Sequence, residues 1–453
     1  MITLLIMKSE FRKSLLLLGI TGTLTAQTSL DNYVETGIKN NLVLQQKTIG
    51  LEKAFYSLKA ANSLFFPSIN FKADYQSGEG GRQIAIPLGD MLNPVYSTLN
   101  QLTASGAFPQ IDNVSTTFFP QNFYDVKVRT SLPIINSDLI YNKSIQKQQV
   151  VLQQYEVEIY KNELTKNIKV AYFNYLSAAK SINIYESALT LAKEGKRINE
   201  SLVANGKSVK AYVLRSESEI QSLQARKSSA EQQVKNAKMY FNFLINADGN
   251  QTIDTTGTSS FDQPNPEPYL TSEVSVSNRT ELKALEQSAS IYQTALKMDK
   301  SYWLPKLSGF LDLGSQASNW EYNNKSRYYF VGLSLDIPLF AGGKNRYKIR
   351  QSELNTKNQV LNTTYVNRQL QLSAEMAKND LKTSYQNYVA STKQLDAAAS
   401  YNKLIEKGYK EGLNSFIETI DARNQLTVSS LQVVINKYQL MAAIVNYERE
   451  INK

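Results

Sequence analysis

The stretch YYFVGLSLDIPLFAGGKNRYKIRQSE, residues 328–353, changes its periodicity halfway along. Tyr329, Val331, Leu333, Leu335 and Ile337 alternate with Phe330, Gly332, Ser334 and Asp336. That period of two describes a strand with one apolar and one polar face. Pro338, Gly342 and Gly343 then end it, and a polar run without Pro or Gly follows until Gly408. A glycine pair followed by lysine also resembles a phosphate-binding loop. The parallel stretch FYDVKVRTSLPIINSDLIYNKSIQKQQ (123–149) argues against that reading. It matches Pro133 to Pro338 and repeats the strand-then-helix pattern, yet has no GGK. Gly342 and Gly343 therefore read as backbone geometry for a sharp turn from strand to helix, with Lys344 as a surface cation.

Two more pairs of stretches keep the same order. NNLVLQQKTIGLEKAFYSLKAANSLFFPSI (40–69) parallels NRTELKALEQSASIYQTALKMDKSYWLPKL (278–307). NGKSVKAYVLRSESEIQSLQ (205–224) parallels EGLNSFIETIDARNQLTVSS (411–430), with Gly206 matched to Gly412. The chain is thus written twice, over 27–246 and 278–453, joined by a polar linker at 247–277. The first copy is expected to hold a helix over 30–64, strands over 68–76 and 123–133, and helices over 138–203 and 208–246. The second is expected to hold a helix over 278–302, strands over 306–314 and 328–338, and helices over 344–408 and 413–450.

The 453 residues include no His and no Cys, which excludes disulfides, thiolate chemistry, His-based triads and the usual zinc sites. The net charge of +10 is spread along the chain, so it describes a solvated surface and no nucleic-acid partner. At the N-terminus, MKSEFRKSLLLLGITGTLTAQ (7–27) reads as a secretory signal peptide, cleaved after Ala26. No later window offers about 18 uncharged apolar residues, so no transmembrane helix is expected after it.

The membrane crossing is expected in the strands. In 68–76, Ile69, Phe71, Ala73 and Tyr75 oppose Ser68, Asn70, Lys72, Asp74 and Gln76. In 124–132, Tyr124, Val126, Val128, Thr130 and Leu132 oppose Asp125, Lys127, Arg129 and Ser131. Strands of about ten residues suit a tilted bilayer crossing. Phe65, Phe66, Tyr302 and Trp303 at one end, and Phe118, Phe119 and Trp320 at the other, suit the aromatic girdles of a membrane barrel. Four strands cannot close a barrel, so copies must combine. Two copies would give a filled eight-stranded barrel, three a twelve-stranded one with a lumen. The lumen face balances Lys72, Lys127, Arg129 and Lys306 against Asp74, Asp125, Asp312 and Asp336, which predicts no strong ion selectivity.

The long helices carry coiled-coil seams. One runs Leu164, Ile168, Ala171, Tyr175, Ala178, Ile182, Tyr185, Leu189, Ala192; the other runs Leu370, Ala374, Ala377, Leu381, Tyr385, Tyr388, Thr392, Leu395, Ala399. Each helix would be about 100 Å long. In each half the two shorter helices sum to about that length, which suggests paired columns, one continuous and one broken.

The duplicated plan, IPLFAGGKNRY at the strand-to-helix junction, YKEGLNSFIETIDARNQL near the second hairpin and NRTELKALE together resemble the TolC-like outer-membrane efflux factors. The resemblance covers nearly all of the mature chain. It implies a mostly α fold with a membrane β-barrel: a homotrimer whose chains give four strands each to a twelve-stranded barrel, above an α-helical periplasmic barrel. It implies an exit duct in the outer membrane of a Gram-negative bacterium. A periplasmic adaptor and an inner-membrane pump of RND or ABC type would serve the duct, which has no cofactor, no metal and no catalytic residue. The family's acidic constriction falls on Glu418 and Asp421, with Tyr409 nearby. The family's closing bonds join a tyrosine and an arginine to an aspartate. Tyr409 matches the tyrosine, but Asn414 stands at the arginine's place and Tyr212 at the aspartate's. Adaptor hairpins would dock at the tips, Gly206 and Lys207 in one hairpin and Gly412, Leu413 and Asn414 in the other. Pro133, Pro338, Gly342 and Gly343 would mark the junctions between barrel and helices. Residues 77–122 would form an outer-surface loop that packs over the barrel mouth or meets a partner. The competing expectations are a periplasmic coiled-coil scaffold with a small β domain and, more remotely, an enzyme using Glu418 and Asp421.

Overall fold

The computed structural model describes residues 29–117, 119, 121–255 and 264–452. The expected signal peptide, Phe118 and linker residues 256–263 lie outside the described residues. In chain order the elements are α1 (Ser29–Asn40), α2 (Leu42–Ser63), β1 (Ser68–Gln76), β2 (Gln83–Ile86), α3 (Leu88–Thr103), β3 (Val114–Thr117), β4 (Phe123–Ile135), α4 (Ser137–Ala204), α5 (Lys210–Leu244), α6 (Glu267–Leu270), α7 (Thr280–Lys300), β5 (Lys306–Ser318), β6 (Arg327–Asp336), α8 (Lys344–Lys410) and α9 (Phe416–Ile451). They divide into two compact units. One comprises Gly50–Gln154 with Ala284–Thr363. The other comprises the chain up to Ile49, Tyr155–Lys283 and the chain from Thr364 onward.

The first unit holds a four-stranded antiparallel sheet of order β1-β4-β5-β6. Register follows the alternation, because a slip of one residue would put every side chain on the wrong face. Phe71 pairs with Val128, Val128 with Leu313, and Leu313 with Tyr329, all on the apolar face. That face stays open: Phe71 and Leu333 are each 70% exposed. On the polar face Asn70, Arg129, Asp312 and Phe330 form one row, in which Arg129 donates two bonds of 2.7 and 2.6 Å to Asp312. Lys72 lies opposite Lys127 and Asp74 opposite Asp125, pairings that repel. Lys127 relieves this by binding Asp125, to which Tyr328 also donates at 2.7 Å.

β5 extends four residues beyond the expected strand, and its turn into β6 folds back over the sheet. Trp320 stacks on Tyr75 and Tyr124 with ring centroids 5.3 and 5.7 Å apart, and Tyr322 stacks on Tyr124 at 4.6 Å. Tyr124, expected on the open apolar face, is therefore buried, and its hydroxyl donates to the Glu321 carbonyl at 2.7 Å. At the other end of the strands, β4 has a register shift between Pro133 and Ile135 before Asn136 Oδ1 accepts from the Asp138 N–H at 3.0 Å to start α4. After β6, Gly342 and Gly343 have φ of 58° and 80°, conformations that favour glycine, and α8 starts at Lys344.

In the second unit the helix expected over 30–64 is broken at Asn41. The Asn41 amide donates to the Leu244 carbonyl at 3.0 Å, while its Oδ1 accepts from Val43 N and Leu44 N and from the Tyr160 hydroxyl. The residue thus caps α2 and anchors it to the C-terminal end of α5. The core gathers Leu30, Leu44, Leu164, Ile168, Tyr172, Phe173, Leu176, Phe241, Ile245, Ile253, Tyr438 and Val445. Near residues 171–176 the seam of α4 widens to include Tyr172, Phe173 and Leu176, because α1, α5, α9 and the linker all pack there. The linker is tied in: Tyr172 donates to the Asp254 carbonyl at 3.1 Å, and the Asp254 N–H donates to the Tyr33 hydroxyl at 2.7 Å. In α8 the seam drifts by one residue after Tyr388, burying Ser391, Ala398 and Asn402 and leaving Ala399 exposed. By length and composition α9 could cross a membrane, although Lys437 divides its uncharged stretch into runs of fewer than 18 residues, as expected. It instead buries Ile420, Leu440 and Tyr447 in the helical core, together with Arg423 and Arg449.

The motif NRTELKALE has a physical explanation here. Buried Arg279 donates to the Arg449 and Glu450 carbonyls at 3.0 Å, to Glu450 Oε2 at 2.8 Å and bidentately to Glu281 at 2.9 Å. Arg449 also donates to Glu281 at 2.5 Å. The network ties the start of α7 to the last turn of α9, where cations suit the helix dipole. Burial alone would raise the Glu281 pKa, but the bonds from Arg279 and Arg449 outweigh it and hold the carboxyl at about 2.

A depressed carboxyl contributes stability above its unfolded pKa and loses it as pH falls toward the folded value. Unfolding should therefore lose on the order of 3 kcal/mol of this contribution between about pH 4.5 and 2. Denaturant titrations at stepped pH should show that loss in the native chain and not in Glu281→Gln. Arg279→Ala strands buried carboxylates and should cost about 3–5 kcal/mol at pH 7.

Candidate functional site

The ends of the α4–α5 and α8–α9 hairpins carry most of the sequence-expected site residues. Both turns are built alike. Gly206 N–H donates to the Val203 carbonyl and Lys207 N–H to that of Leu202. Gly412 N–H donates to the Tyr409 carbonyl and Leu413 N–H to that of Gly408. Gly206 and Gly412 have φ of 66° and 77°, the left-handed conformation such helix ends require. Beyond them the tips present Lys207, Val209 and Leu413 to solvent; Leu413 is 82% exposed.

α9 starts with a capping box. Ser415 Oγ accepts from the Glu418 N–H at 3.3 Å, while the Glu418 carboxylate accepts from Ser415 N–H at 2.6 Å and Ser415 Oγ–H at 2.9 Å. The backbone bond from Ser415, helped by its hydroxyl, keeps the Glu418 carboxyl below the usual range. Asp421 stands one turn on. With Ile417, Asn424 and Val428 the two acids lie along the exposed side of α9. Glu418 thus has a local structural task and also a place on an open acidic face.

Tyr409 points elsewhere. Its hydroxyl donates to Asn199 Oδ1 of α4 at 2.7 Å. Asn199 donates to Ser216 Oγ at 3.1 Å, and Ser216 donates to the Tyr212 carbonyl at 2.9 Å. Burial pushes the Tyr409 hydroxyl up. Phe416 packs between the rings of Tyr212 and Tyr409, at 5.4 and 5.9 Å. Tyr212, Phe416 and Tyr409 thus form an aromatic clasp at this end.

Sequence reasoning missed the cation at this end. Arg423 of α9 is buried, binds Glu406 of α8 through Nε at 3.2 Å and reaches α4. A methyl group at Gly195 would stand 2.2 Å from Arg423 Nη1. Glu219 of α5 lies near Arg423 and Arg215, and burial pushes its carboxyl up. A cleft of about 420 Å³ beside this cluster is lined by Ile198, Leu202, Glu406, Tyr409, Lys410 and Arg423. The available signal was Gly195 itself, a helix-weakening residue in a helix otherwise free of glycine. Among the described residues no group of three or more acids could hold a metal ion.

Gly195→Val should push the Arg423 guanidinium out of its seat. Hydrogen exchange is expected to speed up in residues 190–204 and 404–425 while the strand amides stay protected. Unchanged exchange in both segments would count against this packing.

The description "outer membrane efflux protein" fits residues 34–247 and 272–447. No curated protein matches the chain. Solved structures do. CusC, described as forming a transmembrane channel, aligns with a TM-score of 0.76 at 13% identity, over 97% of this chain and 95% of its own. The CmeC outer membrane channel of Campylobacter jejuni aligns at 0.73 and 16% identity, over 93% and 85%. The open MtrE outer membrane channel of Neisseria gonorrhoeae aligns at 0.72 and 13%, over 93% and 88%. At such identities these structures speak for the fold.

Proposed function

The chain belongs to the outer membrane efflux protein family and resides in the outer membrane; on that premise we propose that three copies form a passive exit duct. One observation carries the reading. The sheet has an open apolar face, a charged opposite face, and two edge strands, β1 and β6, each with a single neighbour. In hydrocarbon an unpaired strand edge costs several kcal/mol per orphaned group, so β1 of one copy must pair with β6 of the next. Three copies give twelve strands around a lumen lined by Lys72, Lys127, Arg129, Asp125 and Asp312. The two halves, 27–246 and 278–453, would each supply two strands and their helices, with Pro133, Pro338, Gly342 and Gly343 at the passage into the periplasmic part.

At the periplasmic end, Glu418 and Asp421 would repeat around the threefold axis as acidic rings that favour cations. Tyr409 holds the hairpins behind them. The exposed tips at Gly206, Lys207, Gly412, Leu413 and Asn414 are where the hairpins of a periplasmic adaptor would dock, joining the duct to an inner-membrane pump of RND or ABC type.

Purified protein in a planar bilayer should give discrete channels and run as a trimer in detergent. A monomer without channels would overturn the duct reading in favour of a periplasmic scaffold. In the same bilayers Glu418→Ala with Asp421→Ala should lower cation preference and divalent-ion block severalfold. An unchanged reversal potential would remove the acidic rings.

A further inference from the structure

The 46-residue connection from β1 to β4 contains α3, and α3 has two faces of different character. Its inner face is pinned to the returning chain. Asn93 donates to the Ile111 carbonyl at 3.0 Å and accepts from its N–H at 2.9 Å. Asn100 does the same with Phe108, at 2.7 and 3.0 Å. Tyr96 packs on Phe108 at 5.9 Å, and Asp90 exchanges bonds of 3.1 and 3.0 Å with Asn113. These side-chain amides replace strand-like backbone pairing and fix the rotation of α3 about its axis.

The outer face carries Leu88, Met91, Val95, Thr98 and Leu102. The steps are three, four, three and four, a strict coiled-coil seam over two heptads, narrower than the stripe of a helix facing a globular core. Its apolar members lie in the open: Met91 is 65% exposed and Leu102 is 78% exposed. Asp90 is the only charged side chain on α3. The helix therefore has no Lys or Arg with which to hold an anionic headgroup, and like copies meet no repulsion along the seam.

We propose that the three α3 helices of one trimer pack on each other along this seam, as a parallel three-helix cluster across the outer mouth of the barrel. The inference rests on the trimeric reading above. β1 is an edge strand, so the connection leaving it stands at the junction with the next copy. Threefold symmetry makes the helices parallel and in register. The cluster buries apolar side chains that otherwise face water and places an apolar barrier where the lumen opens.

The chain has no Cys, so single cysteines report on this contact without background. Val95→Cys on the seam and Ser97→Cys off it would be oxidised in purified trimers, whose mass is checked in detergent. Covalent dimers are expected from Val95→Cys and severalfold fewer from Ser97→Cys. Val95→Glu should keep the trimer and raise its bilayer conductance severalfold. Trimers in which Val95→Cys fails to cross-link, in which Ser97→Cys cross-links equally, or in which Val95→Glu conducts like the native chain, would overturn the cluster and leave the duct standing. A monomer in detergent would instead overturn the trimeric reading, and the cluster with it.

Discussion

A backbone N–H or carbonyl in hydrocarbon has no water to turn to, and the architecture follows from that constraint. The sheet satisfies its internal groups through the β1-β4, β4-β5 and β5-β6 ladders, and leaves two rows of groups on β1 and β6. One chain cannot satisfy them. In the proposed trimer, pairing between copies would satisfy them, and the uncovered apolar face of Ile69, Phe71, Val331 and Leu333 would lie against lipid. The opposite face neutralises its charges locally, through Arg129 with Asp312 and Lys127 with Asp125. A water-filled lumen tolerates such pairs; lipid does not.

The helical unit obeys different physics. Its seams rely on Ala, Ser, Thr and Tyr, so they bury modest apolar area per residue, and polar side chains supply specific ties. Asn41 fixes the break between α1 and α2. Arg279 and Arg449 share Glu281 and close the start of α7 onto the end of α9. Asn199 links Tyr409 to Ser216. Each tie is strong because it is buried, and each is costly to leave half made. Compensation is incomplete in both places: Arg423 Nη1 and Glu219 Oε2 near the hairpin ends, and Arg449 Nη1 beside Arg279, are buried without a hydrogen-bond partner.

Much of the fold was legible because its signals are local. Alternation placed the strands and their faces, and turn residues placed the hairpin tips. The errors have tertiary causes. Tyr124 has the right parity for an open apolar face, yet Trp320 and Tyr322 cover it after the β5–β6 turn folds back. Tyr172 and Phe173 fall off the heptad seam, yet are buried because four segments surround α4 at that level. α3 was hidden by Pro94 and by the short spacing of its polar residues, and its amide bonds to Ile111 and Phe108 are contacts no periodicity reports. At the candidate site, the exposed acids Glu418 and Asp421 were readable as an i, i+3 pair. Arg423 was not, because its importance comes from Gly195 on another helix.

The sequence by itself determined the duplicated plan, the strands with one wet and one apolar face, the two very long helices and the glycine turns at their ends. These are properties of neighbours in the chain, set by backbone sterics and by the match between apolar spacing and helix or strand period. Only the tertiary structure decided which polar groups are paired and which apolar groups are covered. It put Tyr409 on Asn199, gave Arg279 its two carboxylates, and turned the seam of α3 away from its own chain. Burial and pairing depend on what arrives from distant positions, and no local pattern carries that information.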